Sequence, residues 1–105
     1  MERTHEMSAR KAIEYSIAVV CKPPHKEKAR GYPINLPVEG TYAVRDNKRG
    51  WWIVDHIETG FCVCMGESRQ EAIDNAMAIV KAKGPDGFAK AIKKAHGIIK
   101  RRNIQ

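Results

Sequence analysis

His56, Cys62 and Cys64 are the residues of this 105-residue chain whose types and spacing come nearest to chemistry. Two thiols two positions apart on a strand would share a face, and a hairpin would set His56 opposite Cys62. That is the beginning of a metal site and no more. Cys-x-Cys is not the spacing of the common structural zinc sites, and none of Cys21, His5 or His25 is indicated as a further ligand. Asp55 beside His56, with a thiol nearby, has the composition of a nucleophile and its base. Adjacent residues on a strand point to opposite faces, however, so Asp55 does not orient His56. The sequence holds neither a glycine-rich phosphate cradle nor a nucleophile elbow. The chain reads as non-enzymatic, with no metal and no cofactor, and its cysteines as small residues that pack well in a sheet.

Charge carries a stronger signal. Residues 1–80 hold 11 Lys/Arg and 11 Asp/Glu, so they are balanced. Residues 81–105 hold 8 basic residues and a single acid, Asp86, and supply the whole net charge of +7. Six of those cations, Lys90, Lys93, Lys94, Lys100, Arg101 and Arg102, fall in one short stretch with no acid among them. Such asymmetry points to an acidic partner more directly than the overall charge does. Its plainer meaning is a solvated helix face whose cations favour the helix C-terminus.

The length suits one domain with a modest core. No apolar run approaches a membrane span, and residues 1–11 are too mixed in charge for a secretory leader, so a cytoplasmic protein without a membrane partner is expected. An odd count of three cysteines without an export signal implies free thiols.

The elements that must position these residues centre on Gly50 to Lys83. Residues 41–66 read as a three-stranded antiparallel β-meander, with turns at Asn47–Gly50 and at Glu58-Thr59-Gly60. Alternation sorts Tyr42, Val44, Ile53, Asp55, Ile57, Phe61, Val63 and Met65 onto a core face. Thr41, Ala43, Arg45, Trp52, Val54, His56, Cys62 and Cys64 fall on an outer face. There Trp52, Arg45 and His56 would form a platform for stacking bases or seating a partner.

Ser68 and Glu71 form a capping box that opens a helix over residues 68–83, whose apolar stripe covers the core face and which Gly84 stops. Pro85-Asp86-Gly87 separates it from a basic amphipathic helix from Phe88 to Arg101. Phe88, Ile92, Ala95 and Ile99 line one side of that helix and the lysines the other. Before the meander, Ser8 would cap a helix over Ala9–Val19, with a strand over Tyr15–Val20 as the alternative, ended by Pro23-Pro24. Lys22–Gly40 reads as a long proline- and glycine-containing loop. Its Lys26, Lys28 and Arg30 would either touch phosphate or form solvated surface.

The order helix–strand–strand–strand–helix resembles that of double-stranded-RNA-binding domains. Met65-Gly66-Glu67-Ser68-Arg69-Gln70-Glu71-Ala72, followed by Asn75-Ala76-Met77-Ala78, echoes that family's Gly-x-Ser-Lys-Lys-x-Ala-Lys run into an alanine-rich helix. The family's phosphate-contacting lysines correspond here to Arg69, Gln70 and Asp74, so Arg69 alone keeps the charge. The resemblance is one of shape and implies a fold rather than a function. Similar units occur in small antitoxins and phage regulatory proteins.

The expectation is thus an α+β domain that binds nucleic acid without catalysis. Lys90, Lys93, Lys94, Lys100, Arg101 and Arg102 would hold phosphates, with Arg45 and Trp52 as a secondary surface. The alternative is a protein-interaction module, such as a phage or mobile-element inhibitor or antitoxin, that presents the same cations to an acidic protein surface on a nucleic-acid-handling complex. A homodimer would be a second way to bury Ile92, Ile98 and Ile99.

Overall fold

The computed structural model describes residues 11–19 and 25–101, and for residues 95, 96 and 98–101 it describes the backbone. Five strands, β1 (Ile13–Val19), β2 (His25–Ile34), β3 (Tyr42–Asp46), β4 (Trp52–His56) and β5 (Phe61–Gly66), precede one helical run, α1 (Arg69–Arg101). The strands form an antiparallel sheet in the order β1-β2-β3-β4-β5. The α+β class holds, with a helix packed on the sheet, but the sheet has five strands rather than three.

Of the two extra strands, β1 answers to the alternative strand over Tyr15–Val20 rather than to a helix over Ala9–Val19, and β2 takes up residues 25–34 of the expected long loop. Ile13, Tyr15, Ile17 and Val19 do alternate in β1; the apolar Ala18 and Val20 between and beyond them blur the pattern. β2 was obscured by Pro33 and Gly31, which read as loop residues. It is a bent strand that changes partner. Residues 25–31 pair with β1, and Tyr32, Pro33 and Ile34 pair with Val44, Ala43 and Tyr42 of β3. A Cβ on Gly31 would lie 2.7 Å from the Val44 carbonyl oxygen and 2.8 Å from the Tyr15 hydroxyl, so the bend needs a residue without a side chain. Among the described residues five strands precede the helical run, which is not the helix–strand–strand–strand–helix order of the double-stranded-RNA-binding domains. The expectations for Ser8 and for Pro23-Pro24 lie outside the described residues.

The sheet curls so that β1 crosses the face opposite the helix. The Ala18 amide donates to the Gly60 carbonyl at 2.9 Å, and the Tyr15 hydroxyl donates to Asp55 Oδ2 at 2.8 Å. The central strands are consequently buried on both faces. Tyr42, Val44 and Val54 look toward α1, while Ala43, Ile53 and Asp55 look toward β1.

This division corrects the expected faces by one residue. Tyr42 pairs with His56 and Val44 with Val54, so Val54 belongs to the helix-side core and Ile53 and Asp55 to the other side. The parity changes in the β3–β4 turn. Asn47 Oδ1 accepts from the amides of Arg49 (2.8 Å) and Trp51 (3.2 Å), and the Asn47 amide donates to the Trp51 carbonyl. Trp51 is thereby held in the turn, and β4 starts one residue later than its tryptophan pair suggests. A bulge between Val54 and Asp55 shifts β5 as well, and Met65 is exposed rather than in the core.

The helix begins as its sequence requires. The Glu71 amide donates to Ser68 Oγ at 3.0 Å, while Glu71 Oε1 accepts from the amide of Glu67, one residue ahead of the usual position. Ala72, Ala76 and Val80 are buried against the sheet. Gly84 (φ 74°, ψ 166°) is non-helical and divides the run into two helices that meet at a kink, as its place as a stop predicts, but the second starts at Pro85 rather than at Phe88. Proline suits a first helical position because the amide it lacks would have no partner there. Phe88 is buried 6.1 Å from Tyr42, and Ile92 packs on the same core.

Candidate nucleic-acid interface

Burial of Phe88 and Ile92 fixes the rotation of α1 after Gly84, and Lys90, Lys93 and Lys94 are left exposed. Among the described residues none of the three has a carboxylate within ion-pair distance. The side chains of Lys100 and Arg101, and all of Arg102, lie outside the described residues. The three lysines that can be placed thus share an exposed face, as the sequence periodicity predicts. Lys93 also borders a cleft of about 790 Å³ between this helical segment, the Val38–Gly40 loop and the β4–β5 turn, with Glu39, Glu58 and Asp86 on its rim. Those acids bound the cationic surface on that side.

Arg45 and Trp52 do not form a platform with His56. Asp46, not Arg45, pairs with Trp52 across β3 and β4, so Arg45 lies on the β1 side of the sheet and Trp52 and His56 on the helix side. Arg45 Nε donates to Asp55 Oδ2 at 2.6 Å, with the arginine side chain 16% exposed and the aspartate wholly buried. It is occupied within the fold. Burial raises the Asp55 carboxyl above its ordinary range, while Arg45 and Tyr15 pull it down.

Trp52 instead joins a stack with Tyr32 and Arg69 that no sequence spacing indicates. The Arg69 guanidinium lies 5.1 Å from the Tyr32 ring centroid and 5.9 Å from that of Trp52. Arginine over aromatic faces is a favourable contact and a frequent interface anchor. Tyr32 is 36% exposed and Trp51, in the neighbouring turn, 41%. Tyr32 sat in what read as a loop, so no spacing rule could bring it to residues 52 and 69.

His56 is a structural histidine. The Thr59 amide donates to its Nδ1 at 3.3 Å, which places the ring proton on Nε2, 3.1 Å from Glu58 Oε1. Glu58 in turn accepts from the Thr41 amide (3.0 Å) and hydroxyl (2.6 Å), so the group clasps the β4–β5 turn to the start of β3. Burial lowers the His56 pKa, and the Glu58 charge opposes that only in part. A histidine buried neutral contributes stability that is complete above its unfolded pKa of 6.5 and is lost as pH falls through its lower folded value. Asp55, raised from 3.8, acts with the opposite sign, and Glu58, lowered from 4.5, is lost further into acid. Unfolding by urea across pH 5–7 should therefore be more pH-dependent for the native chain than for His56→Gln; parallel curves would contradict a neutral buried ring.

The thiols do not share a face. Cys62 stands opposite Asp55, whereas Cys64 is opposite Val54 with its Sγ 3.3 Å from the Ala72 carbonyl on the helix side. The bulge between them reverses the alternation that would have aligned them, and Phe61 rather than Cys62 faces His56. Desolvation by its neighbours raises the Cys62 pKa although the residue is exposed, with Asp55 adding to it, and desolvation followed by Cys62 pushes Cys64 up to about 11. Both are held as thiols at neutral pH, a poor state for a nucleophile. No group of three or more metal-ligating side chains converges among the described residues, and no described helix is long and apolar enough to cross a membrane.

Three basic side chains, Lys26, Lys28 and Arg30, are exposed at alternate positions of β2. Alternation puts them on one face, about 7 Å apart along the strand. In a loop they had no common direction. Comparison with protein-family models, with curated proteins and with solved structures found no match to this chain.

Proposed function

We propose that this protein binds nucleic acid without catalysis, holding phosphates with the exposed side of α1 after Gly84. The observation that carries the reading is the pairing of a buried Phe88 with an exposed, unneutralised Lys90, Lys93 and Lys94 on the same helical turns. A cationic row anchored by its apolar side is placed without the ordering cost that a loose tail would carry. Lys100, Arg101 and Arg102 extend the row in sequence. Affinity for a DNA or RNA duplex should fall steeply with added salt. Exchanging Lys90, Lys93 and Lys94 together for glutamine should reduce the slope of log affinity on log salt by about 2–3, near 0.9 per lost phosphate contact on B-DNA. An unchanged slope, or binding indifferent to salt, would refute this reading.

The exposed Trp51 and the Tyr32–Arg69–Trp52 stack favour a second reading, docking on a partner protein. In that case the chain acts as a phage or mobile-element inhibitor or antitoxin on a nucleic-acid-handling complex. Co-purification that survives nuclease and is lost with Trp51→Ala would support it over the first.

A further inference from the structure

The β1–β2 ribbon carries a second cationic row on the side of the molecule away from the helix. In the ribbon register Ala18 faces Lys26, Ser16 faces Lys28 and Glu14 faces Arg30, so these six side chains share one face. The other face carries Tyr15, opposite Ala29, and looks inward: the Tyr15 hydroxyl reaches Asp55. Asp55 lies on the sheet face turned from α1, because its neighbour Val54 packs in the helix-side core. The ribbon therefore lies over the far face of the sheet, and its cations look out beyond it.

That outward face is built from small or charged side chains. Lys26, Lys28, Arg30, Glu14 and Ser16 are all exposed, and three cations against one carboxylate leave it at +2. Glu14 stands directly opposite Arg30, but no ion pair joins them among the described residues. Glu27, between the lysines in sequence, is turned to the other face and bonded to His25 at 2.9 Å. An apolar partner would find no purchase here, and an acidic backbone with regularly spaced charges matches a regularly spaced cationic row.

We propose that Lys26, Lys28 and Arg30 form a second phosphate-binding surface, opposed to that of α1, through which one molecule bridges two nucleic-acid backbones. This rests on the reading of α1 as the first such surface. The two rows face opposite sides of the sheet, so one straight duplex cannot lie on both.

The test immobilises a DNA duplex on beads, adds the full chain at less than saturating amounts, and measures retention of a second, fluorescent duplex. The native chain should retain it. Exchange of Lys26, Lys28 and Arg30 for glutamine should leave binding to the first duplex through α1 but reduce retention of the second about tenfold or more. The charge-keeping exchange Lys26→Arg, Lys28→Arg, Arg30→Lys should restore it. Circular dichroism of each variant should match the native chain, since all three positions are exposed. Binding of the first duplex without capture of the second would overturn bridging while leaving the α1 reading intact. Undiminished capture by the glutamine variant would also overturn it. Failure of the native chain to bind the first duplex would remove both readings together.

Discussion

Replacing Arg45 with alanine should lower the free energy of unfolding by about 3–5 kcal/mol, the usual cost of stranding one partner of a buried ion pair. Asp55 is wholly buried between the sheet and β1, and its Oδ2 accepts from both Arg45 and Tyr15. Its Oδ1 has no hydrogen-bond partner among the described residues. Without the guanidinium a single neutral hydroxyl faces a carboxylate that water cannot reach. Two further measurements separate this from a simple loss of packing. The Arg45→Ala deficit should shrink as pH falls, because the raised Asp55 carboxyl loses its strongest lowering influence and is relieved by taking up a proton. The triple exchange Arg45→Met, Asp55→Leu and Tyr15→Phe should recover most of the loss, since apolar replacement of a whole buried polar group is often neutral and Tyr15 would otherwise keep an unpaired buried hydroxyl. A deficit below about 1 kcal/mol, or one that widens in acid, would mean that the pair is solvated.

That pair also shows where the sequence was legible. Asp55 reads from its strand position as a charge on the same side as Ile53, and it is. That side was expected to lie under the helix with Tyr42 and Val44, however, and it is β1 that covers it. The sheet is buried on both faces because β1 crosses it, and β1 is tied there by contacts from Tyr15 and Ala18 to residues some 40 positions later. Local propensity does not carry such pairings. By contrast the Ser68–Glu71 cap, the stripe Ala72–Ala76–Val80 and the anchor Phe88 are set by neighbours within a few turns, and all were readable.

The candidate site divides along the same line. Lys90, Lys93 and Lys94 share a face by helical period, a property of their own segment. Arg45, Trp52 and His56 depended on strand parity, and an odd turn at Asn47–Trp51 put Arg45 on the face opposite the other two. Lys26, Lys28 and Arg30 gained a common direction only once β2 was a strand. A cationic pattern in sequence thus acquires functional meaning from the element that aligns it, and here the aligning contacts of β2 are with β1 and β3.

The contact on which that alignment depends is open to a direct comparison of two glycines. Gly60 (φ 77°) and Gly50 (φ 93°) both occupy the left-handed region that a side chain disfavours. A Cβ on Gly50 would meet nothing within 4 Å, whereas one on Gly60 would lie 2.8 Å from the Ala18 amide nitrogen and 2.9 Å from the Ser16 carbonyl oxygen. Both neighbours are backbone and cannot swing aside. Gly50→Ala should therefore cost only the backbone strain, about 1–2 kcal/mol. Gly60→Ala adds overpacking against β1 and should cost about 2–4 kcal/mol. Its loss should come with faster hydrogen exchange in β1 and the first half of β2, because lifting β1 breaks the bond from Ala18 to Gly60 and strains that from Tyr15 to Asp55. Equal losses for the two variants, with β1 protected alike in both, would mean that β1 does not rest on the β4–β5 turn. The ribbon would then have no fixed outward face on which to hold its cations.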